Sequence, residues 1–457
     1  MSVLDIYAEE FAAAAPSLPG AEVDWLDAHR HASFRAFLDN GVPTPRLESW
    51  KYTNLRGLGE AALPPAPCDN DGIDAATLAP FVLDGIDCRV LVFVNGRLRA
   101  DLSDDGQVSD AVAVSLAAAL RRGDPDLSAM IGPASTTPED ALRSLNGAFM
   151  MDGAVIRVAP DSRPERPLHL LFLTAPQDTA TASYTCNLII AGRDSAATII
   201  ETHAALGHGS PAEGSGAEGS AGEGSYWTNA TTRIVLESGA QLRHHRLQDE
   251  SLAAYHLAAT SVDIAADAHY ESFAAALGAK LSRHEIEACL SGEGARCDLR
   301  GIYLGRDKQH LDNTTQIVHS APGGHSRQVY RGVLDDHARG VFQGKVVVAQ
   351  DAQRTDAHQL NQNLLLSESA EVNSKPELEI NADDVKCSHG ATTGALDEEA
   401  LFYLRSRGIA HREASHMLTE AFVVELVVAA TIPAFGDWLR GRLAAWLAGA
   451  PPDRSIP

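Results

Sequence analysis

The residues best suited to chemistry lie near the C-terminus, in the segment Asp383-Asp-Val-Lys-Cys-Ser-His-Gly390. Cys387 and His389 are two residues apart, so an extended strand would point a thiol and an imidazole to the same face. Such a pair can hold iron or a sulfur species, and we expect Lys386 to lower the pKa of the neighbouring thiol. The pair supplies half of a four-ligand shell, so a second chain would have to complete the site. A purely structural turn is the alternative.

The remaining nucleophiles and metal ligands show no pattern typical of a catalytic centre. The six cysteines include no C-x-x-C pair, and the chain has no P-loop and no G-x-S-x-G motif. The segment Arg283-His-Glu285 continues as Ile-Glu-Ala-Cys289 and therefore lacks the second histidine of a zinc protease. We expect the other histidines of this region to be surface or hydrogen-bonded residues: His244, His245, His319, His325, His337 and His358.

A low-complexity segment of Gly, Ser and Glu covers residues 207–225. Its composition offers almost nothing to bury, so it predicts a flexible insert between two strands. The segment contains Gly214-x-Gly216-x-x-Gly219, which formally matches a dinucleotide fingerprint. That motif works only between a buried strand and a helix N-terminus. Neither flank fits, so no nucleotide site is expected here.

Charge and hydropathy limit the classes of partner. The chain of 457 residues has 37 Lys and Arg against 61 Asp and Glu, a formal net charge of −24. This excess opposes a broad nucleic-acid or membrane-surface role. The first residues, MSVLDIYAEEFAAAAP, are acidic where a signal peptide is basic, and the most apolar stretch, residues 421–435, is too short for a bilayer span. We expect a cytoplasmic protein.

The elements that must position Cys387 and His389 are mainly strands. The first 60 residues have helical character, with a helix over residues 22–40, and residues 109–150 are again rich in Ala and Leu. From about Val155, short β-rich runs follow one another without helices long enough for βαβ crossovers. Turn-like residues recur at near-even spacing: Asp335, Asp351, Ser369 and Asp383. This pattern is typical of a sandwich, a barrel or a solenoid, and the Asn and Gln residues of the run 358–363 favour a solenoid.

The last 60 residues predict helices, with Asp397 as an N-cap and Gly408 as a C-terminal stop. A helix over residues 412–430 has two neighbouring apolar stripes. One comprises Met417, Ala421, Val424 and Val428, and the other Leu418, Phe422, Leu426 and Ala429. One stripe suffices to pack against the protein, so the second suggests contact with another protein. Simple packing between helices explains the pattern as well.

Several motifs, in order along the chain, closely resemble the SufB/SufD family of iron–sulfur cluster assembly. They are Glu48-Ser-Trp-Lys-Tyr-Thr53, Gln309-His-Leu-Asp-Asn-Thr-Thr315, Tyr330-Arg-Gly-Val333, residues 340–346 (GVFQGKV), residues 375–394 (KPELEINADDVKCSHGATTG) and residues 397–409 (DEEALFYLRSRGI). Within the family the chain resembles the SufD type. The SufB type has a cysteine in the strand region before this tail, and residues 364–374 contain none.

The resemblance implies a right-handed parallel β-helix (solenoid) core flanked by helical domains. On this basis, residues 1–150 form a mainly helical N-terminal domain, residues 151–385 form the β-helix with the insert 207–225, and residues 386–457 form a C-terminal helical domain. The resemblance implies a non-catalytic scaffold that pairs with a SufB-type subunit and binds the ATPase SufC. It leaves open whether the isolated chain forms a homodimer.

The resemblance also implies the site residues. His389 would bind iron during cluster assembly at the SufB interface, with Cys387 as a weaker candidate, and the iron–sulfur cluster would be transient and shared with SufB. A reduced flavin is a further cofactor that the resemblance leaves open. The contact with SufC would lie on the C-terminal helices, at Leu401, Tyr403, Leu404, Met417, Leu418, Ala421 and Phe422.

Two other functions are alternatives to the SufD-type scaffold. A self-sufficient homodimeric iron–sulfur carrier of the same family would hold a cluster alone, but few cysteines lie near His389. A β-helix carbohydrate enzyme resembling pectate lyases would need a secretory signal and an acidic or Ca²⁺-binding cleft, and neither is evident in the sequence.

Overall fold

The computed structural model describes residues 2–59, 63–67, 72–83, 85–104, 107–108, 110–124, 126–175, 177–206, 225–430 and 432–448. The expected insert therefore lies outside the described residues, except for Ser225. The α-helices are α1 Val3–Ala14, α2 Asp24–Asn40, α3 Arg56–Gly59, α4 Ala75–Leu78, α5 Leu116–Arg121, α6 Asp126–Ile131, α7 Ala141–Phe149, α8 Glu398–Ser406, α9 His411–Ala430 and α10 Pro433–Ala448. Helix α2 confirms the helix predicted over residues 22–40.

Strands occupy most of the chain between α7 and α8. The first strands are β1 Arg89–Val94, β2 Arg97–Leu98, β3 Gln107–Val108, β4 Ala111–Ser115, β5 Ala154–Val158, β6 Leu168–Thr174, β7 Thr181–Ala191, β8 Ala196–Ala205, β9 Tyr226–Leu236 and β10 Gln241–Asp249. The later strands are β11 Ala254–Ile264, β12 His269–Ala276, β13 Leu281–Leu290, β14 Arg296–Gly305, β15 His310–His319, β16 His325–Leu334, β17 Arg339–Val348, β18 Thr355–Leu365, β19 Glu371–Ile380 and β20 Val385–Gly394.

These strands form two ten-stranded sheets, and from β5 onward the chain passes from one sheet to the other at each turn. Sheet A has the order β19-β17-β15-β13-β11-β9-β7-β5-β4-β3, and sheet B has the order β2-β1-β6-β8-β10-β12-β14-β16-β18-β20. Each strand from β5 onward pairs in parallel with the strand two places along; for example, Leu281 pairs with His310, and His310 with Arg339. The fold is a parallel β-solenoid, as the sequence predicted.

Aspartates at the turns allow the chain to reverse between sheets. Asp194, Asp267, Asp307 and Asp336 have positive φ angles of 50–57°. Asp tolerates this left-handed conformation because its short side chain hydrogen-bonds locally. Successive turns also stack, since the amide of Asp307 donates to Oδ2 of Asp336 at 3.1 Å. Similar turns therefore repeat along the solenoid and keep its coils in register.

The space between the two sheets, called the lumen here, is filled by inward-facing side chains. Residues alternate inward and outward along each strand, and most inward positions are apolar, such as Ile199, Leu299, Ile317 and Val346. Polar residues of the run 358–363 also lie in this lumen, where Asn363 Nδ2 donates to Asn361 Oδ1 on the same strand at 2.8 Å.

The N-terminal segment covers the outer face of sheet A. Its aromatic side chains pack with those of the sheet, and the segment Glu48–Thr53 crosses several strands. The carbonyl of Ser49 accepts hydrogen bonds from Arg283 Nη2 at 2.9 Å and from Gln343 Nε2 at 3.0 Å. The guanidinium of Arg283 lies 4.0 Å from the centroid of the Trp50 ring. Through these contacts, the segment Glu48–Thr53 attaches the N-terminal segment to β13 and β17.

The C-terminal helices cover the outer face of sheet B. Val427 of α9 and Phe435 and Leu439 of α10 are fully buried against the sheet. Asp397 accepts hydrogen bonds from the first amides of α8 and confirms the predicted N-cap. Among the described residues, no helix is long and apolar enough to cross a membrane.

Strands extend past both ends of the expected β-helix domain, residues 151–385. Strand β1 pairs with β6 and is part of sheet B, although it lies within residues 1–150. Strand β20 runs nine residues beyond position 385, to Gly394. The solenoid therefore includes the segment that carries Cys387 and His389.

Candidate functional site

Cys387 and His389 lie on β20, which is the last strand of sheet B. Strand β20 pairs with β18 on one side, and within the described part of the chain no strand pairs with its other edge. Its residues are mostly exposed. Strand β19 forms the matching edge of sheet A. These two strands together form what is called the open end of the solenoid, where unpaired backbone groups and two potential iron ligands occur on one surface.

Cys387 is a partly buried residue that packs against the lumen core. Burial raises the pKa of its thiol, and the carboxylate of Asp356 raises it further. The expectation that Lys386 lowers this pKa is therefore wrong. Lys386 follows the alternation of the strand to the outer face, where it is exposed. The thiol is held in its neutral form and is a poor metal ligand in the isolated chain.

His389 is exposed and shares the lumen-facing side of β20 with Cys387. Its register partner on β18 is Gln359. A neutral imidazole is a good ligand for iron, and this one is accessible from the open end. Among the described residues, β20 presents one imidazole and one thiol on this face, fewer ligands than an iron–sulfur cluster needs. The geometry suits a site that a second chain completes.

The residues expected on the SufC contact differ in their exposure. Tyr403 and Met417 are exposed, by 56% and 44%, whereas Leu401 is buried, with 6% of it exposed. Of the others, Leu404, Leu418 and Phe422 are half-buried and Ala421 is exposed.

One exposed aromatic residue close to these positions was not predicted from the sequence. Phe402 is 73% exposed and stands beside Tyr403 on α8. The sequence could not distinguish Phe402 from Leu401 and Tyr403, because the run Leu401–Leu404 is apolar throughout and does not show which side of the helix faces the protein. Val428, a member of one predicted stripe, is also exposed, by 61%.

A group of buried ionisable residues inside the lumen was also missed. Burial alone would raise the pKa of Glu201, but hydrogen bonds from His203 at 2.7 Å and from His244 at 3.3 Å hold it well below its usual range. Arg246 donates to the same carboxylate at 3.2 Å. The group could have been predicted from the polar residues that occur within otherwise apolar strands. Its members are Glu201, His203, His244, Arg246, Glu250, His256 and His284.

A third cluster could in principle bind a cation. The ligand atoms of His269, Glu271 and Asp298 lie within 4.8 Å of one another, the one such group among the described residues. However, Arg243 already pairs with Glu271 at 2.9 Å, and Nη2 of Arg300 lies 3.6 Å from Asp298. These guanidinium groups occupy the place of a cation, so the cluster is a network of ion pairs.

Comparison with known proteins gives the family. Residues 172–422 match the family model described as "SUF system FeS cluster assembly, SufBD core domain", and residues 1–170 match "SufBD protein N-terminal region". The chain is 33% identical over 390 residues to an iron–sulfur cluster assembly SufBD family protein of Synechocystis, covering 84% of this chain and 83% of that protein.

Two further relatives bear the name SufD. The iron–sulfur cluster assembly protein SufD of Escherichia coli is 33% identical over 395 residues, 86% of each chain. The protein of the same name from Bacillus subtilis is 25% identical over 290 residues, 63% of each chain. The family models together cover most of the solenoid and the N-terminal segment. The chain is therefore a member of the SufBD family of iron–sulfur cluster assembly proteins.

Proposed function

We propose that this chain is the SufD-type scaffold subunit of a complex with a SufB-type subunit and the ATPase SufC. The observation that carries the proposal is the open end, where His389 stands on a strand with an unpaired edge. Exposed edge strands are normally protected, since they pair readily with other chains. An edge left open beside a metal ligand is well suited to a partner that both pairs with the strand and supplies further ligands.

In this proposal His389 binds iron as a neutral imidazole, and the SufB-type subunit supplies thiolates. Cys387 has a secondary role because its raised pKa keeps the thiol protonated. Iron and sulfide are the cargo, so the cluster forms at the interface and then leaves. The chain itself performs no catalytic step, and ATP hydrolysis belongs to the SufC-type subunit.

The SufC-type subunit would bind to the exposed apolar side of the C-terminal helices. Phe402 and Tyr403 provide a contiguous aromatic surface, and the guanidinium of Arg407 lies 5.0 Å from the Tyr403 ring centroid. Large exposed aromatic residues beside an arginine are typical of interface centres. A movement of the SufC-type subunit would be transmitted to the solenoid through α9, because α9 is attached to sheet B. Its Glu425 pairs with Arg331 of β16 at 2.9 Å.

The test is reconstitution of the co-expressed complex. The complex would be purified through this chain and loaded anaerobically with iron and sulfide, and cluster formation followed by visible absorbance. We expect His389→Ala to leave the complex intact and to reduce the cluster signal strongly. The matched control is His358→Ala, which removes an imidazole from the outer face of the neighbouring strand β18. If His389→Ala forms clusters like wild type, the role of His389 is wrong.

A second variant tests the edge itself. Ala391 is exposed on the lumen-facing side of β20, and a lysine there places a charge at the open end. We expect Ala391→Lys to prevent association with the SufB-type subunit, whereas Ser388→Lys on the outer face preserves it. Size-exclusion chromatography of the three chains measures both. Stable self-association of the isolated chain with a bound cluster would instead favour the homodimeric carrier.

A further inference from the structure

Gln359 is a buried glutamine whose side-chain amide is unused. The residue is 3% exposed, and neither Oε1 nor Nε2 has a hydrogen-bond partner within the described part of the chain. Its neighbours in the lumen are better satisfied: Gln328 Oε1 accepts from Thr315 Oγ1 at 2.6 Å, and Asn361 Nδ2 donates to Tyr303 Oη at 3.1 Å. An unpaired buried amide is costly, so its retention suggests that a partner arrives later.

The position of Gln359 indicates where that partner is. Gln359 and His389 are register neighbours on β18 and β20, and their side chains share the lumen face. Adjacent strands lie about 4.8 Å apart, within reach of a hydrogen bond between an amide and an imidazole. The amide also reaches toward sheet A, where Gly344 leaves room: a Cβ on Gly344 would lie 3.3 Å from Gln359 Oε1. Oε1 thus lies on the sheet A side of the lumen, and rotation of the side chain would turn it toward His389.

We propose that Gln359 is a positioning residue for His389. In the assembled complex, Gln359 Oε1 accepts a hydrogen bond from one N–H of the His389 imidazole, which leaves the other ring nitrogen to face iron. This inference rests on the proposed function, and it names the group that orients the ligand. Metal-binding histidines generally donate their second N–H to an oxygen, which fixes the tautomer and the ring. A covering partner excludes water, so the amide and the imidazole then satisfy each other.

The test measures metal affinity, without any cluster-forming activity. Purified complexes would be titrated anaerobically with Fe²⁺ and, as a spectroscopic probe, with Co²⁺. Loss of such a supporting hydrogen bond typically costs about 10–100-fold in metal affinity. We expect this loss in Gln359→Leu. We expect Gln359→Glu, whose carboxylate still accepts the imidazole N–H, to retain affinity near wild type.

The matched control is Gln328→Leu, on the next strand of the same lumen column. This substitution removes a buried glutamine of equal size and breaks an existing hydrogen bond, so its effect on packing is at least as large. We expect its metal affinity to match wild type. Thermal unfolding of each variant complex would show that the chains are folded, and Gln359→Glu gives a second reading if Gln359→Leu fails to assemble.

Each outcome is informative. If Gln359→Leu binds both metals as tightly as wild type while His389→Ala does not, the positioning role is wrong and the proposed function stands. Equal loss in Gln359→Leu, Gln359→Glu and Gln328→Leu would show a general packing effect and would also overturn the inference. If His389→Ala retains full affinity, it is the proposed function that fails.

Discussion

His245 should make the attachment of the C-terminal helices sensitive to acid. It is 2% exposed on the outer face of sheet B, and its ring stacks on Phe435 of α10 with a centroid distance of 5.2 Å. Neither ring nitrogen has a hydrogen-bond partner in the described chain. Burial, with smaller contributions from the charges of His244 and Arg243, lowers the pKa of His245 to about 3.

The lowered pKa of His245 sets the direction and the size of the change in stability with pH. Above the ordinary histidine pKa of about 6.5, the ring is neutral in both the folded and unfolded states. As the pH falls, the unfolded chain binds a proton and folded His245 does not until about pH 3, so stability is lost across this range. At pH 5 the loss is about 2 kcal/mol of unfolding free energy relative to pH 7.5, from about 1.4 kcal/mol per pH unit.

The perturbation is His245→Phe, which keeps an aromatic ring against Phe435 and removes the titration. Reversible urea unfolding at pH 7.5 and pH 5 would give the free energy of unfolding at each pH. We expect the variant to lose about 2 kcal/mol less than wild type between the two values. His325→Gln, at an exposed position, is the control and should not change the difference. Equal losses in wild type and His245→Phe would refute the reasoning.

Three other predictions concern separate parts of the molecule. Arg283→Met removes the cationic partner of the buried carboxylate of Asp312 and should destabilise the protein by about 3–5 kcal/mol in chemical unfolding; a loss below 1 kcal/mol would contradict this. Phe402→Asp should abolish SufC-type binding in a pull-down without lowering the melting temperature, whereas Leu401→Ala, a buried residue, should lower it; the reverse pattern would move the contact inside the helical domain. Cys387 should react with iodoacetamide more slowly than free cysteine at pH 8, because its pKa is raised, as measured by mass spectrometry; faster reaction would restore an activating role for Lys386.

The sequence predicted the solenoid well because its signals are local. Turn residues repeat between strands, and the turn at Asn95 and Gly96 has positive φ angles of 49° and 75°. The helix over residues 22–40 and the N-cap at Asp397 were also correct. Each of these features depends on neighbouring residues, and a single chain is enough to identify them.

The sequence failed where side-chain direction decides the outcome. Alternation along a strand gives two faces without saying which one is inward, so the lumen position of Gln359 and the cluster around Glu201 could not be assigned. The same limit applies to Leu401, which is buried, and to Phe402, which is exposed, because the sequence does not say which side of α8 faces the protein. The pKa of Cys387 depends on burial and on Asp356, thirty-one residues away in sequence but on the neighbouring strand.

Residues 48–53 contact strands that are synthesised much later, so these contacts form only near the end of translation. Ser49 bonds to Gln343 across 294 residues of sequence, and Glu48 pairs with Lys375 across 327. At about 5–20 residues per second, the ribosome needs about 15–60 seconds to add the first of these partners. During that interval the N-terminal segment leaves the ribosome without its final contacts, and the coils already made still end in an unpaired strand. A nascent copy of this chain is thus open to mispairing until its last coils are made.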